Sequence, residues 1–558
     1  MVKVLEIRKK EKKCEEYELR QNIDLAIECY KKLLVEERKT DPTNEECRLL
    51  GKIGYLFVIK RNFEVAEEYI REAIECANKR GNVILICHQY LKLGNLYQAR
   101  DKLNMALYYY SKAEDFLISK QVNQSDYEIK KLSLAIMNNK AVIFMLKGDI
   151  VKARKYLVDL INLFDKHKDF TDFEKKKFYI PALVNLGNIF YETDDLTSAI
   201  YYLEKAEKEI ENLQEINVKT QLGVFLNLSY LLILLKDIKK AKKIIRKMRA
   251  LLPPNDKIFK IHYLINLSKL WREVGEDEIS TQLLEKAQFL AEKIDHTYAK
   301  GLVFNELGLV YKDKDDLQSS LEYLTKARKF FETSDFYRHK VRNRIEEIES
   351  NFIRIAIQWG AKVEDKDPYT LGHSARTTYY AFQIGKIVYQ GDELALKGLI
   401  IGGFLHDIGK LKIADRILRK AGRLTPEEYQ EIRKHPVYAV EQLRNIEFPW
   451  GNVKQCILYH HEKFDGSGYP EGLSGLDIPL CARIISVADV FDALTTERPY
   501  RAPWSWEKAL DYIVSQKNLA FDPDIVDVFV EAINKLDKRL ISTQYTEHMV
   551  RELWKFFA

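Results

Sequence analysis

The sequence predicts an all-α chain in two parts, a long helical solenoid followed by a smaller helical domain that carries the chemistry. Three observations lead there. Small residues recur at intervals of roughly 40 residues through the first part. Apolar residues fall at helical spacing, with almost no strand-like alternation of β-branched residues. Proline use changes near residue 360: only Pro42, Pro181, Pro253 and Pro254 precede residue 368, whereas nine prolines lie from Pro368 to Pro523. A change in the residues that punctuate a chain marks a change of domain, and together with the extent of the repeats it divides the chain into a solenoid at 1–335, a connecting or capping helix at 336–366 and a second domain at 367–558.

Composition excludes several classes. With 46% hydrophobic and 31% charged residues, 24 Gly and 13 Pro in 558, the chain is neither disordered nor collagenous. The 89 basic residues are nearly balanced by 83 acidic ones, and no basic stripe is interleaved with aromatics, so nucleic acid is not an expected partner. The start, MVKVLEIRKKEKK, has no apolar core of signal-peptide length, and Gly223 to Leu235 is well short of the ~20 residues that span a bilayer, so a cytoplasmic protein without a membrane span is expected. Cys14, Cys29, Cys47, Cys76, Cys87, Cys456 and Cys481 are odd in number, scattered and never spaced as CxxC. That argues against a disulfide framework and a zinc knuckle, and for a reducing compartment.

The solenoid is justified unit by unit. Small residues stand at Ala26, Ala66, Ala106, Ala153, Ala199, Ala241, Ser280 and Ser320, and twelve residues before each stands another, Cys14, Gly54, Gly94, Ala141, Gly187, Ser229, Ser268 and Gly308. Three residues after each leading position comes a large side chain: Tyr17, Phe57, Tyr97, Phe144, Phe190, Leu232, Trp271 and Tyr311. Two antiparallel helices cross closely only where side chains are small, and the large residue one turn on fills the groove beside the crossing. About eight helical hairpins follow. LGNLY with MALYYYSKA, and LGNIFY with SAIYYLEKA, resemble the tetratricopeptide repeat over about residues 10 to 335. The resemblance implies a concave groove that binds a protein or peptide partner, against the plainer role of spacer or dimerisation element. The basic run Lys239 to Arg249 alternates with apolar residues and reads as a solvated helix face.

Next, Val341, Ile345, Ile348, Phe352, Ile355 and Trp359 are spaced alternately by four and three. This seam fits a helix that caps the last repeat equally well as a parallel helix of a homodimer.

In the last part, His373, His406, His435, His460 and His461 fall within 89 residues, a density that points to metal. LIIGGFLHDIGK puts His406 and Asp407 at the end of an apolar helix with Lys410 one turn on, and an ionised Asp there needs a charged partner or a cation. Asp489 sits in the apolar segment ARIISVADVFDAL, and Thr425, Pro426 and Glu428 spell a helix start that delivers His435. Five imidazoles and two carboxylates suffice for two ions.

HDIGK (406–410), YHHEKFDGSGYP (459–470) and VADVFDALTTERPYR (487–501), with DPYTLGHS and RLTPEEYQEIRKHP in order, resemble the HD-GYP family of cyclic di-GMP phosphodiesterases over residues 350 to 545. The resemblance implies His373, His406, Asp407 and Asp489 on one metal, and Asp407, His435, His460 and His461 on the other, with iron or manganese as the ions. It implies catalytic roles for Asp407 and Lys410, and substrate contacts from Lys410, Tyr469, Asp492, Arg498 and Arg501, with Glu462 behind the ligands. Where some members carry a Glu that holds a third metal, this chain has Tyr369, so two metals are expected. The implied reaction is hydrolysis of cyclic di-GMP to pGpG and on to GMP in second-messenger signalling, with the repeats as regulatory module. A phosphodiesterase for another cyclic dinucleotide, and a cyclic-dinucleotide receptor acting through protein binding, are the alternatives.

Overall fold

A computed structural model describes residues 2–20, 22–39, 44–119, 127–167, 170–213, 216–333, 338–367, 372–420, 422–497, 501–536 and 546–557. These residues are helical, with no strand among them and one isolated bridge between Lys517 and Phe521. The chain divides into two compact units, Met1–Pro253 and Pro254–Ala558.

The first unit is six helical hairpins: Val2–Leu19 with Ile23–Arg38, Asn44–Ile59 with Phe63–Lys79, Val83–Ala99 with Leu103–Ser119, Tyr127–Leu146 with Ile150–Lys166, Ile180–Glu192 with Leu196–Asn212, and Val218–Leu234 with Ile238–Leu251. Five of their turns share one device, a left-handed residue (Arg61, Asp101, Gly148, Asp194 or Lys236) after the first helix. In the last three of these the next residue caps the second helix, Asp149, Asp195 and Asp237 each accepting from the N–H three positions on. The small residues do the work their spacing implies. A Cβ on Gly54 would stand 2.6 Å from Ile70 and 3.1 Å from the Ala66 carbonyl, and one on Gly187 would stand 2.9 Å from Leu203. The Lys239–Arg249 run is a solvated face, with Lys240 paired to Glu204 and Lys247 to Glu207 and Glu211.

One expectation fails here. Cys14 is bonded to Cys29, and Cys47 to Cys76, while Cys87, Cys456 and Cys481 are free and buried. Scattered spacing argued against disulfides because it took no account of the crossing. Each pair lies across a hairpin, where antiparallel helices bring the two Cα atoms to 5.5 and 5.4 Å.

The second unit opens with two more hairpins, Lys257–Glu273 with Asp277–Glu292 and Thr297–Asp313 with Leu317–Glu332. Ser268 and Ser280 share a hydrogen bond of 2.7 Å at the first crossing, and Ser320 Oγ donates to the Gly308 carbonyl at the second. Helix Arg338–Lys366 then packs against Leu317–Glu332 on one side and Glu393–Leu405 on the other. Val341, Ile348, Phe352, Ile355 and Trp359 are all buried, with the Phe352 ring 5.7 Å from Trp450. These side chains are covered within the chain, by the last repeat hairpin and by Glu393–Leu405.

Around that helix are packed His373–Val388, Glu393–Leu405, Leu480–Thr495 and Pro523–Lys535, with shorter helices Pro426–Ile432, His435–Gln442 and Val453–Tyr459 at one end. Their buried side chains form one continuous apolar core with the last repeats. Among the described residues no helix is long and apolar enough to cross a membrane.

Candidate metal centre

Helix ends build the site. His373 begins His373–Val388, His406 and Asp407 follow the last turn of Glu393–Leu405, His435 begins His435–Gln442, His460 and His461 follow Val453–Tyr459, and Asp489 and Asp492 project from Leu480–Thr495. The local sequence explains the convergence. Thr425 and Glu428 form the capping box that their spacing predicts, and Pro436 occupies the first turn after His435. A Cβ on Gly409 would overlap the His435 carbonyl oxygen, so only glycine lets the turn after Asp407 lie against that helix start.

Asp407 is the centre of the arrangement. Its Oδ2 lies 3.4 Å from His406 Nε2 and 3.8 Å from His373 Nε2, while Oδ1 lies 3.2 Å from His435 Nε2. His373 Nε2 is also 3.2 Å from Asp489 Oδ1, and the Nε2 atoms of His435 and His460 face each other at 3.3 Å. Two ligand groups result: His373, His406 and Asp407, and His435, His460 and His461.

The imidazoles are oriented from behind. Nδ1 of His406, His435 and His460 lies 2.6 to 2.7 Å from the carbonyls of Gly403, Ile432 and Ile457, and Nδ1 of His373 lies 2.8 Å from Asp492. A carbonyl only accepts, so Nδ1 carries the proton and the Nε2 lone pair faces the centre. Burial lowers His435 and His461 to about 3 and holds His460 well below its usual value, which leaves these rings neutral. Burial alone would neutralise Asp407 too, but Lys410 and the surrounding imidazoles hold its carboxyl far below the ordinary range. Asp489 is lowered in the same way, burial being outweighed by His373. For His373 burial is outweighed by Asp489 and Asp492, and its pKa rises to about 9.

Ionised carboxylates facing the neutral rings of His435, His460 and His461, with imidazole nitrogens converging from the other side, form a donor set that borderline divalent cations fit. His406 Nε2 is buried and makes no hydrogen bond among the described residues, a polar atom that such a cation would satisfy.

The surrounding residues fall partly where the sequence puts them. Lys410 Nζ donates to Asp407 at 2.7 Å and stands 3.7 Å from Asp367. The Tyr469 ring lies 4.8 Å from His461, under the guanidinium of Arg433 at 4.5 Å. Glu462 accepts the N–H groups of Glu471 and Gly472, fixing the loop that carries Tyr469. Arg501 donates to the Ala493 carbonyl at 2.6 Å, and its buried Nε makes no hydrogen bond among the described residues. Arg498 and Tyr369 lie outside the described residues.

Asp492 is fully buried, and its oxygens go to His373 Nδ1 and to Arg376, whose Nε donates at 2.6 Å, which places it behind the His373 ring. Arg376 itself was missed. Its signal was a charged residue one turn after His373 in an apolar helix, a place where burial demands a partner.

Residues 361–525 match the HD domain family, and the second unit carries an HD domain. The chain is 36% identical over 195 residues to the 3'3'-cGAMP-specific phosphodiesterase 3 of Vibrio cholerae, covering 35% of this chain and 40% of that one. It is 36% identical over 219 residues to a probable cyclic di-GMP phosphodiesterase of the same organism, covering 37% and 50%. Over 135 residues it is 44% identical to the cyclic di-GMP phosphodiesterase response regulator RpfG of Xanthomonas campestris, covering 24% and 36%. The chain thus spans half or less of the length of these relatives. Among solved structures, the apo form of RapI aligns with a TM-score of 0.41 and 16% identity over 54% of this chain and 99% of that one.

Proposed function

We propose that the second unit is a metal-dependent phosphodiesterase that hydrolyses cyclic di-GMP to linear pGpG and onward to GMP. The observation that carries this is the Asp407 carboxylate, with one oxygen toward His373 and His406 and the other toward His435. In this reading His373, His406, Asp407 and Asp489 hold one ion, and Asp407, His435, His460 and His461 a second, iron or manganese suiting such nitrogen and oxygen donors. When bound, two such ions supply an activated water and polarise the phosphodiester.

The chain's own residues do the rest. Lys410, held at the rim by Asp407, offers fixed positive charge where the phosphoryl oxygens gain negative charge. Arg498 and Arg501 are assigned to substrate phosphate or guanine edges, which a planar guanidinium meets with two parallel hydrogen bonds. Tyr469, its ring held against His461 and Arg433, is assigned to substrate contact through its edge and hydroxyl. Asp492 with Arg376 keeps His373 turned inward.

A second reading is hydrolysis of 3'3'-cGAMP, favoured by the likeness to the Vibrio cholerae enzyme. The repeats are assigned to a protein or peptide partner, and the whole to the cytoplasm. The test is to incubate anaerobically purified, metal-analysed chain with each cyclic dinucleotide and resolve the products. Linear product from the unmodified chain and none from Asp407→Ala supports the proposal. Two metals per chain with no product from either dinucleotide sinks it in favour of a receptor.

A further inference from the structure

We infer that Glu364, in the last turn of the long helix Arg338–Lys366, is a positioning residue for the metal centre, holding the start of the helix that presents His373. The inference rests on the two-metal reading of the site.

The argument begins with an omission. A helix start leaves backbone N–H groups without intrahelical partners, and a side chain at the N-cap usually takes one. The His373 helix has Gly372 at that place, with φ of 71° and no side chain to offer. A carboxylate from another helix takes over: Glu364 Oε2 accepts from Gly372 N at 2.7 Å, and Oε1 accepts from Ser374 N at 3.1 Å. His373 lies between the two bonded amides. Both bonds are charge-assisted, and the negative group sits at the positive end of the helix dipole.

The same helix end grips the other side of the site. Lys366 Nζ donates to the Leu411 carbonyl at 2.7 Å, and Asp367 stands 3.7 Å from Lys410, the residue paired with Asp407. Arg419 in turn donates to the carbonyls of Asp365 and Lys366 at 3.0 Å each. A Cβ on Gly360 would stand 3.2 Å from Ser374 and 3.3 Å from the Phe404 carbonyl, so the long helix lies directly against both ligand-bearing helices. One turn toward its N-terminus from these contacts, Lys362 is paired with Asp315 in the last repeat hairpin. The same helix end thus touches the last repeat hairpin through Lys362 and the start of the His373 helix through Glu364.

The experiment compares the full chain with Glu364→Ala and Glu364→Gln. Manganese binding is titrated by the spin-resonance signal of the free ion, and amide hydrogen exchange is read at residues 372–376. The expected result is two manganese sites in the unmodified chain. In Glu364→Ala one site weakens by about 10- to 100-fold and the other is unchanged, as for loss of a group that orients a ligand. Turnover falls with KM held within about twofold, and exchange at 372–376 speeds up. Glu364→Gln, whose amide oxygen still accepts one N–H, recovers part of each loss.

Unchanged exchange in Glu364→Ala overturns the inference, and so does equal weakening of both sites alongside a lower Tm, which marks a purely structural role. If the unmodified chain takes up no manganese, the two-metal reading fails instead. The exchange arm then still decides whether Glu364 holds the segment around His373.

Discussion

Two places in this chain bring backbones unusually close, and they use the closeness differently. At the hairpin crossings of the first unit, Gly54 admits Ile70, Gly94 admits the ring of Tyr110 and Gly187 admits Leu203. Carbon meets carbon, and the polar groups nearby pair off locally, as when the Tyr110 hydroxyl donates to Asn95 at 2.7 Å. At the metal centre, Gly409 admits the His435 carbonyl, and what converges is nitrogen and oxygen: the imidazoles of His373, His406, His435 and His460 around Asp407. The same steric device builds a repeat in one place and a ligand set in the other. A crossing lined with carbon gives way by shifting a side chain. A centre in which four imidazoles, His373, His406, His435 and His460, have hydrogen-bonded backing has less such slack.

The largest test of that contrast is Asp407→Ala. Both halves of the ligand set lose their shared carboxylate, so hydrolysis should fall by about 10³-fold or more and metal content should drop below two ions per chain, read by product assay and elemental analysis. Helix content should persist. Retention of both ions would show that the two groups are independent sites.

Next are paired glycine substitutions. Gly409→Ala sets a Cβ into backbone that cannot move without displacing His435, and is expected to destabilise the second unit by about 3 kcal/mol or more. Gly54→Ala presses on Ile70 Cγ1, 2.6 Å away, and on the Ala66 carbonyl at 3.1 Å, and should destabilise the first unit by about 1 to 2 kcal/mol. Urea unfolding of the full chain, followed by site-resolved hydrogen exchange, separates the two. Equal losses would erase the distinction drawn above.

A smaller effect is expected from Asp492→Asn. The amide still accepts from Arg376 but no longer matches both of its partners, His373 and Arg376, with charge. Turnover should fall by about 10- to 100-fold with little change in KM. A rise in KM alone would return Asp492 to the substrate contact that the sequence suggested.

The contrast also explains what the sequence made legible. The crossings could be read because a small residue twelve positions before another is a local steric demand, visible without knowing the fold. The clustering of His and Asp side chains could be read because helix ends carry compact signatures such as HDIGK, and because an Asp beside an apolar run cannot be left unpaired. The supporting partners were not legible, since Asp492 lies 119 residues from His373 and 116 from Arg376. Glu364 took its role from a glycine eight residues on that offers no cap of its own. The disulfides escaped for the same reason: Cys47 and Cys76 are 29 residues apart in sequence and neighbours only once the hairpin folds.

Lys92 tests the contrast from inside the array. It lies on helix Val83–Ala99, where a Cβ on Gly51 would stand 2.6 Å from its ammonium, and burial together with Lys52 and Arg48 lowers its pKa to about 7. Beside it Gln89 is fully buried, with neither amide atom hydrogen-bonded among the described residues. Because the folded pKa is depressed, the unfolded chain binds the proton more strongly between about pH 7 and the ordinary Lys value near 10.4. Folding stability should therefore rise with pH across that window, with the full penalty present below it. Lys92→Met removes the charge. At pH 7 it should stabilise the surrounding hairpins by about 1 kcal/mol, and it should flatten their pH dependence, read by hydrogen exchange in residues 83–99. A loss of stability instead would mean that the ammonium has a counter-charge in solution, and that this part of the array, like the metal centre, is organised around a polar group.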